Sequence, residues 1–396
     1  MSRIIFFSGK GGVGKTSVAS AHALRAAENG EKTILVSADR AHNIGDVFQT
    51  ETGPEIIRIE DNLDGLELDP DSLMKKEYPQ ATSAVWDLLG GSGFSGVDPG
   101  DDAFWLPGFE DLFSLLKIAD LYKNGWYDKI IVDCAPTAST LSLLKMPELL
   151  QWYMERFSPV GKALVRMLAP SAKRKYRISL PRREAMNDME RIWQKLLELQ
   201  DILKDPLITT VRLVCIPEKM IVSETKRDFM YLSLYRYPVD GIFINRILPE
   251  KTGNSFMEEW RKIQQKYIRE YEEVFQNTSV FQLPWLSEEI KGQEAVKHIA
   301  DLLPDEGQYR AESSDNEVFT KTEDGYCLNV RLPFVEEEAI DVFREGTDLF
   351  LTVRGWRRCI PLPNVLTGME LAGHTLQEGE LRLFFRELTG RTGDAL

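Results

Sequence analysis

The run Gly9-Lys10-Gly11-Gly12-Val13-Gly14-Lys15-Thr16 leaves few folds open to this chain. It fits the pattern G-x-x-x-x-G-K-[ST] and lies between an apolar run, residues 4–8, and a helix-compatible stretch over 15–29. Such a loop works only where a strand delivers it onto a helix N-terminus. There, glycines let successive backbone N–H groups turn towards phosphate oxygens, Lys15 neutralises the β/γ-phosphates, and the Thr16 hydroxyl can ligate Mg2+. The candidate nucleotide-binding residues are therefore Gly9, Gly11, Gly12, Val13, Gly14, Lys15, Thr16 and Ser17. A rival pattern overlaps them: Gly9, Gly11 and Gly14 also satisfy G-x-G-x-x-G, and Asp39 ends the second apolar run, where a ribose-binding acid would sit in a dinucleotide fold. That reading gives Lys15 and Thr16 no role. The phosphate loop requires both, and it is supported by Asp133, which closes the run Ile130-Ile131-Val132 where a Mg2+-site acid belongs. An ordinary glycine turn explains least.

Lys10 is a second lysine inside the loop. One nucleotide bound within one subunit does not need it. It is either a solvated loop residue or a lysine that reaches the phosphates of a facing subunit, as an arginine finger does in trans.

The rest of the chain fits the layered architecture the loop demands. Short continuous apolar runs at residues 33–37, 129–132, 210–215 and 241–244 read as strands buried on both faces of a mostly parallel sheet. Helices are predicted over 223–235, 255–275 and 287–302, giving an α/β domain of the phosphate-loop NTPase class over 1–303. Alternation stops between residues 141 and 204, where helices are expected at 147–157, 161–168 and 183–204; a helical insert is thus expected over about 62–125 and 141–204. Residues 304–316, PDEGQYRAESSDN, are polar and aperiodic, which predicts a linker. Beyond it, period-two runs separated by Gly- and Pro-bearing turns predict a small all-β sandwich over 317–390.

Composition closes off several classes. The 396 residues carry 62 acidic against 48 basic side chains, a formal net charge of −14, which disfavours a general nucleic-acid binder. The longest uncharged stretch, Val274–Ser287, is fourteen residues and contains Pro284, against about 20 apolar residues for a membrane-crossing helix. Four scattered cysteines and four histidines form neither a disulfide framework nor a zinc-ligand cluster, and no secretory signal precedes the first strand. A reducing cytoplasm is the expected location, or the plastid stroma if the source is a plant.

Several segments together resemble one family. Lys10-Gly-Gly-Val-Gly-Lys-Thr16 is similar to the deviant phosphate loop of partitioning, septum-positioning and arsenite-pump ATPases. Asp39-Arg-Ala-His-Asn43 and Asp133-Cys-Ala-Pro-Thr-Ala138 resemble the two switches of the arsenite-pump and tail-anchored-protein-targeting ATPases. Three further blocks, 214–225, 243–249 and 283–292, follow in the family's order, so the resemblance covers about residues 1–303. It implies a homodimeric ATPase using ATP and Mg2+. By position, Asp39 orients or deprotonates the attacking water, Lys10 is the inter-subunit lysine, Thr16 and Asp133 hold Mg2+, and Asn245 reads adenine. Read without its block, Asn245 is a strand-end cap or turn residue. His42 and Asn43 are expected to hold the first switch loop by hydrogen bonds. Arg40 stands in place of the first switch's proline, and Ala138-Ser139 replaces the Gly-His that often follows in the second.

The resemblance also implies a client groove for a hydrophobic segment in the helical insert. Leu149, Leu150, Trp152, Tyr153, Met154 and Phe157 make a wide apolar surface there, to which Met167, Met186 and Met189 add adaptable side chains, although such a face also serves as ordinary core. Within the insert, residues 156–183 carry nine basic side chains and no acid, either a solvated face or a contact for an anionic membrane surface or acidic partner. The tail resembles the α-crystallin domain of small heat-shock proteins, through Asn329-Val-Arg-Leu-Pro333, Asp348–Gly355, Arg357–Pro363 and Gly379–Phe384. That pairing implies protein handling, although a plain packing or dimerisation module is equally compatible with the β-runs. Two alternatives stay open: a metalloid (arsenite or antimonite) efflux ATPase subunit, although the chain has one ATPase half and no clustered cysteines, and a partitioning-type ATPase acting on a scaffold.

Overall fold

The computed structural model describes residues 2–39, 44–77, 109–134, 195, 197–250, 255–311, 317–366 and 368–387. Eight strands form one sheet: β1 (Arg3–Ser8), β2 (Thr33–Ser37), β3 (Ile57–Glu60), β4 (Leu63–Glu67), β5 (Lys129–Asp133), β6 (Thr209–Cys215), β7 (Val239–Ile247) and β8 (Ser279–Pro284). Their order is β3-β4-β2-β5-β1-β6-β7-β8, parallel throughout except for the β3–β4 edge. β1 is central, flanked by β5 and β6. Its residues Ile4, Ile5, Phe6 and Phe7 are at most 1% exposed, which explains the continuous apolar run: both faces are covered.

Helix α1 (Lys15–Glu28) leaves the phosphate loop and packs along the sheet. Ala19, Ala21, Ala23, Ala26 and Ala27 are all buried, so small side chains let its axis approach β5 and the C-terminal helix of the domain closely. The other described helices are α2 (Ile44–Phe48), α3 (Pro70–Glu77), α4 (Phe109–Asn124), α5 (Lys219–Leu234), α6 (Ser255–Val274) and α7 (Gln293–Leu302).

The expected strands and helices are present with shifted ends. α5 begins four residues earlier than its apolar period predicts, α7 begins six later, and β8 is a strand where the sequence showed only an uncharged stretch. The expectation that 62–125 belongs to the helical insert is corrected for residues 63–67 and 109–124, while 78–108 lie outside the described residues. Leu63–Glu67 is a strand of the main sheet, paired in register with β2 from Leu63 to Glu67. Asp64 and Gly65 hide this from a periodicity reading; Gly65 is closely covered, since a Cβ there would lie 2.6 Å from the Ile59 side-chain end of the neighbouring hairpin strand and would make it shift. α4 is likewise a core crossover helix, with Phe113, Leu115, Leu116 and Ile118 buried. Of the expected helix over 183–204, residues 197–204 are helical. The helices expected at 147–157 and 161–168, the apolar and methionine-bearing insert surface and the basic island at 156–183 lie outside the described residues, as do Arg40 to Asn43 and Ala135 to Ser139.

The segment expected as a linker is docked. Over residues 304–311 it wraps under the sheet, with a 3-10 turn at Glu306–Gln308. Tyr309 packs on Phe243 and Phe281, lies 3.5 Å from the Arg212 guanidinium carbon, and has its hydroxyl 3.0 Å from His22 Nε2. Arg25 of α1 donates to the Leu303 carbonyl and to Asp305, and Lys129 pairs with Glu306 at 2.7 Å. Polar composition concealed this because the strap is held mainly by charges that meet buried partners, with Tyr309 as its apolar anchor.

The C-terminal part is a sandwich of two antiparallel sheets. A four-stranded sheet has the order β14 (Met369–Gln377), β15 (Glu380–Glu387), β10 (Gly325–Arg331), β9 (Glu317–Thr322). A three-stranded sheet has the order β11 (Ile340–Glu345), β12 (Asp348–Val353), β13 (Trp356–Pro361). Alternation on β15 sends Leu381, Leu383 and Phe385 into the core against Leu349, Leu351 and Val353 of β12. The sandwich rests on the C-terminal half of α5. Trp356 packs on Tyr231 with ring centroids 4.9 Å apart, Arg358 donates to the Leu234 carbonyl at 2.7 Å, and Tyr235 donates to the Arg357 carbonyl at 3.1 Å.

Candidate active site

The phosphate loop lies at the carboxyl edge of the sheet, where the chain crosses from β1 over β5 to β2, the usual ligand crevice of open α/β sheets. Two of its glycines are sterically required. Gly9 has φ +149 and a Cβ there would lie 2.1 Å from the Val214 carbonyl oxygen, so the loop packs directly against the end of β6. Gly14 caps α1 in the left-handed region, with φ 96 and ψ 30, and a Cβ would lie 2.4 Å from Asn245 Nδ2. Asn245 donates that amide to the Val13 carbonyl at 2.9 Å and accepts the Arg246 N–H at 2.9 Å. Asn245 thus braces the loop from β7, and its side chain forms one edge of the site.

Lys15 is 7% exposed, and its Nζ donates to the Lys10 carbonyl at 3.3 Å, which holds the ammonium across the loop. The next residue, Thr16, in the first turn of α1, donates its hydroxyl to Asp133 Oδ2 at 2.7 Å. Asp133 is fully buried. Burial pushes its carboxyl up to about 6, the nearby Asp39 carboxylate adds to that push, and the Thr16 hydrogen bond and Lys15 oppose it. Its Oδ1 has no hydrogen-bond partner among the described residues. A buried carboxylate oxygen without a partner, beside a threonine hydroxyl, is a hard-oxygen donor set that fits Mg2+, an ion that takes few protein ligands and completes its shell with phosphate and water.

Asp39 follows β2, half-buried, and its N–H donates to Ser37 Oγ at 3.4 Å. Because β2 pairs with β5 in register, Ser37 lies opposite Asp133, and both acids share the carboxyl edge. Lys10 lies on the other side of the loop. Its Nζ pairs with Glu224 of α5 at 3.1 Å, with both side chains partly exposed.

Beyond Gly14 and Ser17 a cleft of about 570 Å3 opens between Asn245, Arg246 and the chain 283–291. Trp285, 54% exposed, forms part of its wall. Arg246 occupies the left-handed region at φ 57, uncommon for a non-glycine residue, with its N–H held by Asn245 Oδ1 at 2.9 Å and its carbonyl by Gln264 Nε2 at 3.1 Å. The structure therefore brings together Gly9, Lys10, Gly14, Lys15, Thr16, Ser17, Asp39, Asp133 and Asn245. Sequence reasoning missed Glu224, Arg246 and Trp285. All three stand in blocks whose similarity was visible, but their proximity to the loop depends on long-range packing.

The geometry agrees with the chain's relatives. Residues 2–305 match the model of an anion-transporting ATPase family, and residues 323–385 match an HSP20-like domain found in ArsA. A putative arsenical pump-driving ATPase of Prosthecochloris vibrioformis is 36% identical over 93% of this chain and 92% of its own length. A putative arsenical pump-driving ATPase 1 of Aquifex aeolicus is 30% identical over 96% of this chain and 99% of its own length. An ATPase get3 of Pyrenophora tritici-repentis is 30% identical over 76% of this chain and 91% of its own length. A phosphate loop at the head of a parallel sheet, followed by an antiparallel sandwich, in a chain that aligns almost end to end with such proteins, is an ATPase belonging to the anion-transporting ATPase family.

Proposed function

We propose that this ATPase is a Mg2+-dependent, homodimeric switch that handles hydrophobic protein segments. The observation that carries the catalytic part is the convergence of Lys15, Thr16, Asp133 and Asp39 on one sheet edge around a helix N-terminus. In this reading the loop N–H groups and Lys15 cradle the phosphates, and Asn245 and the cleft beyond Gly14 take the base. Thr16 and Asp133 hold the Mg2+ ion, which when bound neutralises charge on the β- and γ-phosphate oxygens. Asp39 orients the attacking water. Phosphoryl transfer needs positioning and charge neutralisation more than covalent chemistry, so these groups suffice.

Lys10 supplies the closing step. When ATP is bound, it reaches the phosphates of the facing subunit, and hydrolysis releases it, so nucleotide state sets whether the two subunits are closed. The apolar, methionine-bearing insert then alternates between offering and hiding a surface for a hydrophobic client. The support for this half is the sequence of the insert, the HSP20-like domain and the similarity to get3-named ATPases. The same insert carries the basic stretch 156–183, which suits an anionic membrane surface or acidic partner. Four scattered cysteines with no disulfide-framework spacing suit a reducing compartment, the cytoplasm or the plastid stroma of a plant.

Asp39→Asn tests the assignment. ATP binding should persist while turnover falls by about 100-fold or more, the usual contribution of a positioned acid–base group. Unchanged turnover sinks it. The names of the pump-driving relatives favour a second reading, metalloid efflux, which predicts stimulation of ATP hydrolysis by arsenite or antimonite. Among the described residues no three His, Cys, Asp or Glu side chains are grouped to hold a metal, which lends that reading no structural support.

A further inference from the structure

α5 touches both halves of the molecule. Near its start, Glu224 pairs with Lys10 of the phosphate loop at 3.1 Å. At its end, Tyr231, Leu234 and Tyr235 receive the sandwich through Trp356, Arg357 and Arg358. Glu317, at the start of β9, pairs with Arg358 and lies 3.6 Å from Arg236, just beyond the helix. The ten residue steps from Glu224 to Leu234 span about 15 Å.

Between these ends the helix is braced. Thr225 bonds the Ile221 carbonyl at 2.8 Å and the Tyr271 hydroxyl at 3.4 Å, and Lys226 pairs with Glu270 at 2.6 Å, both partners on α6. Phe334, held at φ 63 against Phe229 of α5 and Phe275, adds a second point of docking. These contacts join α5 and α6 into one unit, and the sandwich touches both of its parts through Trp356 and Phe334, so a shift of the sandwich acts on the unit that carries Glu224.

We propose that Glu224 is a positioning residue that holds Lys10 within its own subunit, and that docking of the HSP20-like sandwich on α5 sets the strength of that hold. Lys10 cannot engage Glu224 at this distance and extend to a facing subunit at once. The pair therefore competes with closure, and a partner that loosens the sandwich favours release of Lys10. The consequence for closure rests on the trans role proposed for Lys10; the hold itself does not.

The test reads the two separately, in the full-length chain. Without nucleotide, acetylation of Lys10 by acetic anhydride is followed by mass spectrometry. Glu224→Gln should speed it by about two- to five-fold, the scale of a partly exposed ion pair, and Glu224→Asp should restore most of the protection. Trp356→Ala, or the milder Tyr235→Phe, should speed it in the wild-type background and have no effect once Glu224 is Gln. An unchanged Lys10 rate in Glu224→Gln, or an interface effect that survives it, overturns the proposal. With ATP and Mg2+, Glu224→Gln should also lower the protein concentration at which the chain self-associates by a similar factor. If labelling responds as expected but self-association does not, the hold stands and the trans role of Lys10 fails.

Discussion

At the scale of single residues, the site depends on close approaches that leave no room for a side chain. Gly14 carries α1's cap in the left-handed region with the Asn245 amide 2.4 Å from where a Cβ would stand. Gly14→Ala should therefore push Asn245 off the Val13 carbonyl and cost about 1–3 kcal/mol of loop stability, read as a rise of about 5- to 150-fold in the ATP dissociation constant. Asp133 gives a pH signature. Its carboxyl is raised to about 6, so its contribution to stability is fully present below the unfolded value near 3.8 and is lost as pH rises through about 6. Metal binding needs the carboxylate, so Mg2+-dependent ATP affinity should fall towards tenfold per pH unit below about 6. Asp133→Asn should abolish that slope in a titration with a fluorescent nucleotide. The loop glycines, Lys15, Thr16 and both acids were legible from the sequence, since their chemistry is local and their spacing fixed. Glu224 and Trp285 were not, because nothing near them in the chain announces the loop they approach.

At the scale of elements, the strap 304–311 changes what the end of the ATPase domain does. His22 donates Nδ1–H to the Val18 carbonyl, so its Nε2 accepts from Tyr309, which joins the strap to the helix that begins at Lys15. Burial, then the Arg212 charge, holds His22 well below its usual range. A depressed histidine contributes stability that is present above the unfolded value near 6.5 and is lost as pH falls through the folded one. His22 should therefore contribute a loss of stability on acidification below about pH 6.5, opposed below about 6 by Asp133, and His22→Gln should remove that contribution in urea denaturation of the nucleotide-free chain. Arg212, fully buried, is held by Asp240 at 3.2 Å as well as by Tyr309. Asp240→Asn should cost about 3 kcal/mol, because the buried guanidinium then keeps only Glu306, 4.0 Å away, as a carboxylate partner. A polar, aperiodic segment reads as a linker in any sequence; here its charges meet partners contributed by β1, β5, β6 and α1. The same blindness hid β4, whose Asp64 and Gly65 break the apolar run.

At the scale of the whole molecule, the two matched segments form one connected body rather than an ATPase with a loose tail. Their hydrophobic cores are continuous, and Arg358 is 4% exposed at the junction. The division into an α/β domain and an all-β sandwich followed from periodicity, but the docking could not, since Trp356, Arg357 and Arg358 look like ordinary strand residues. Two nucleotide-binding edges facing each other would bring Lys10 of each subunit to the other's phosphates and couple hydrolysis to both bodies at once. The most direct measurement is sedimentation of Asp39→Asn with ATP and Mg2+, alone and combined with Lys10→Ala. The account predicts a stable dimer for the single variant and a monomer for the double variant with ATP still bound. An ATP-dependent dimer that survives loss of Lys10 would contradict it.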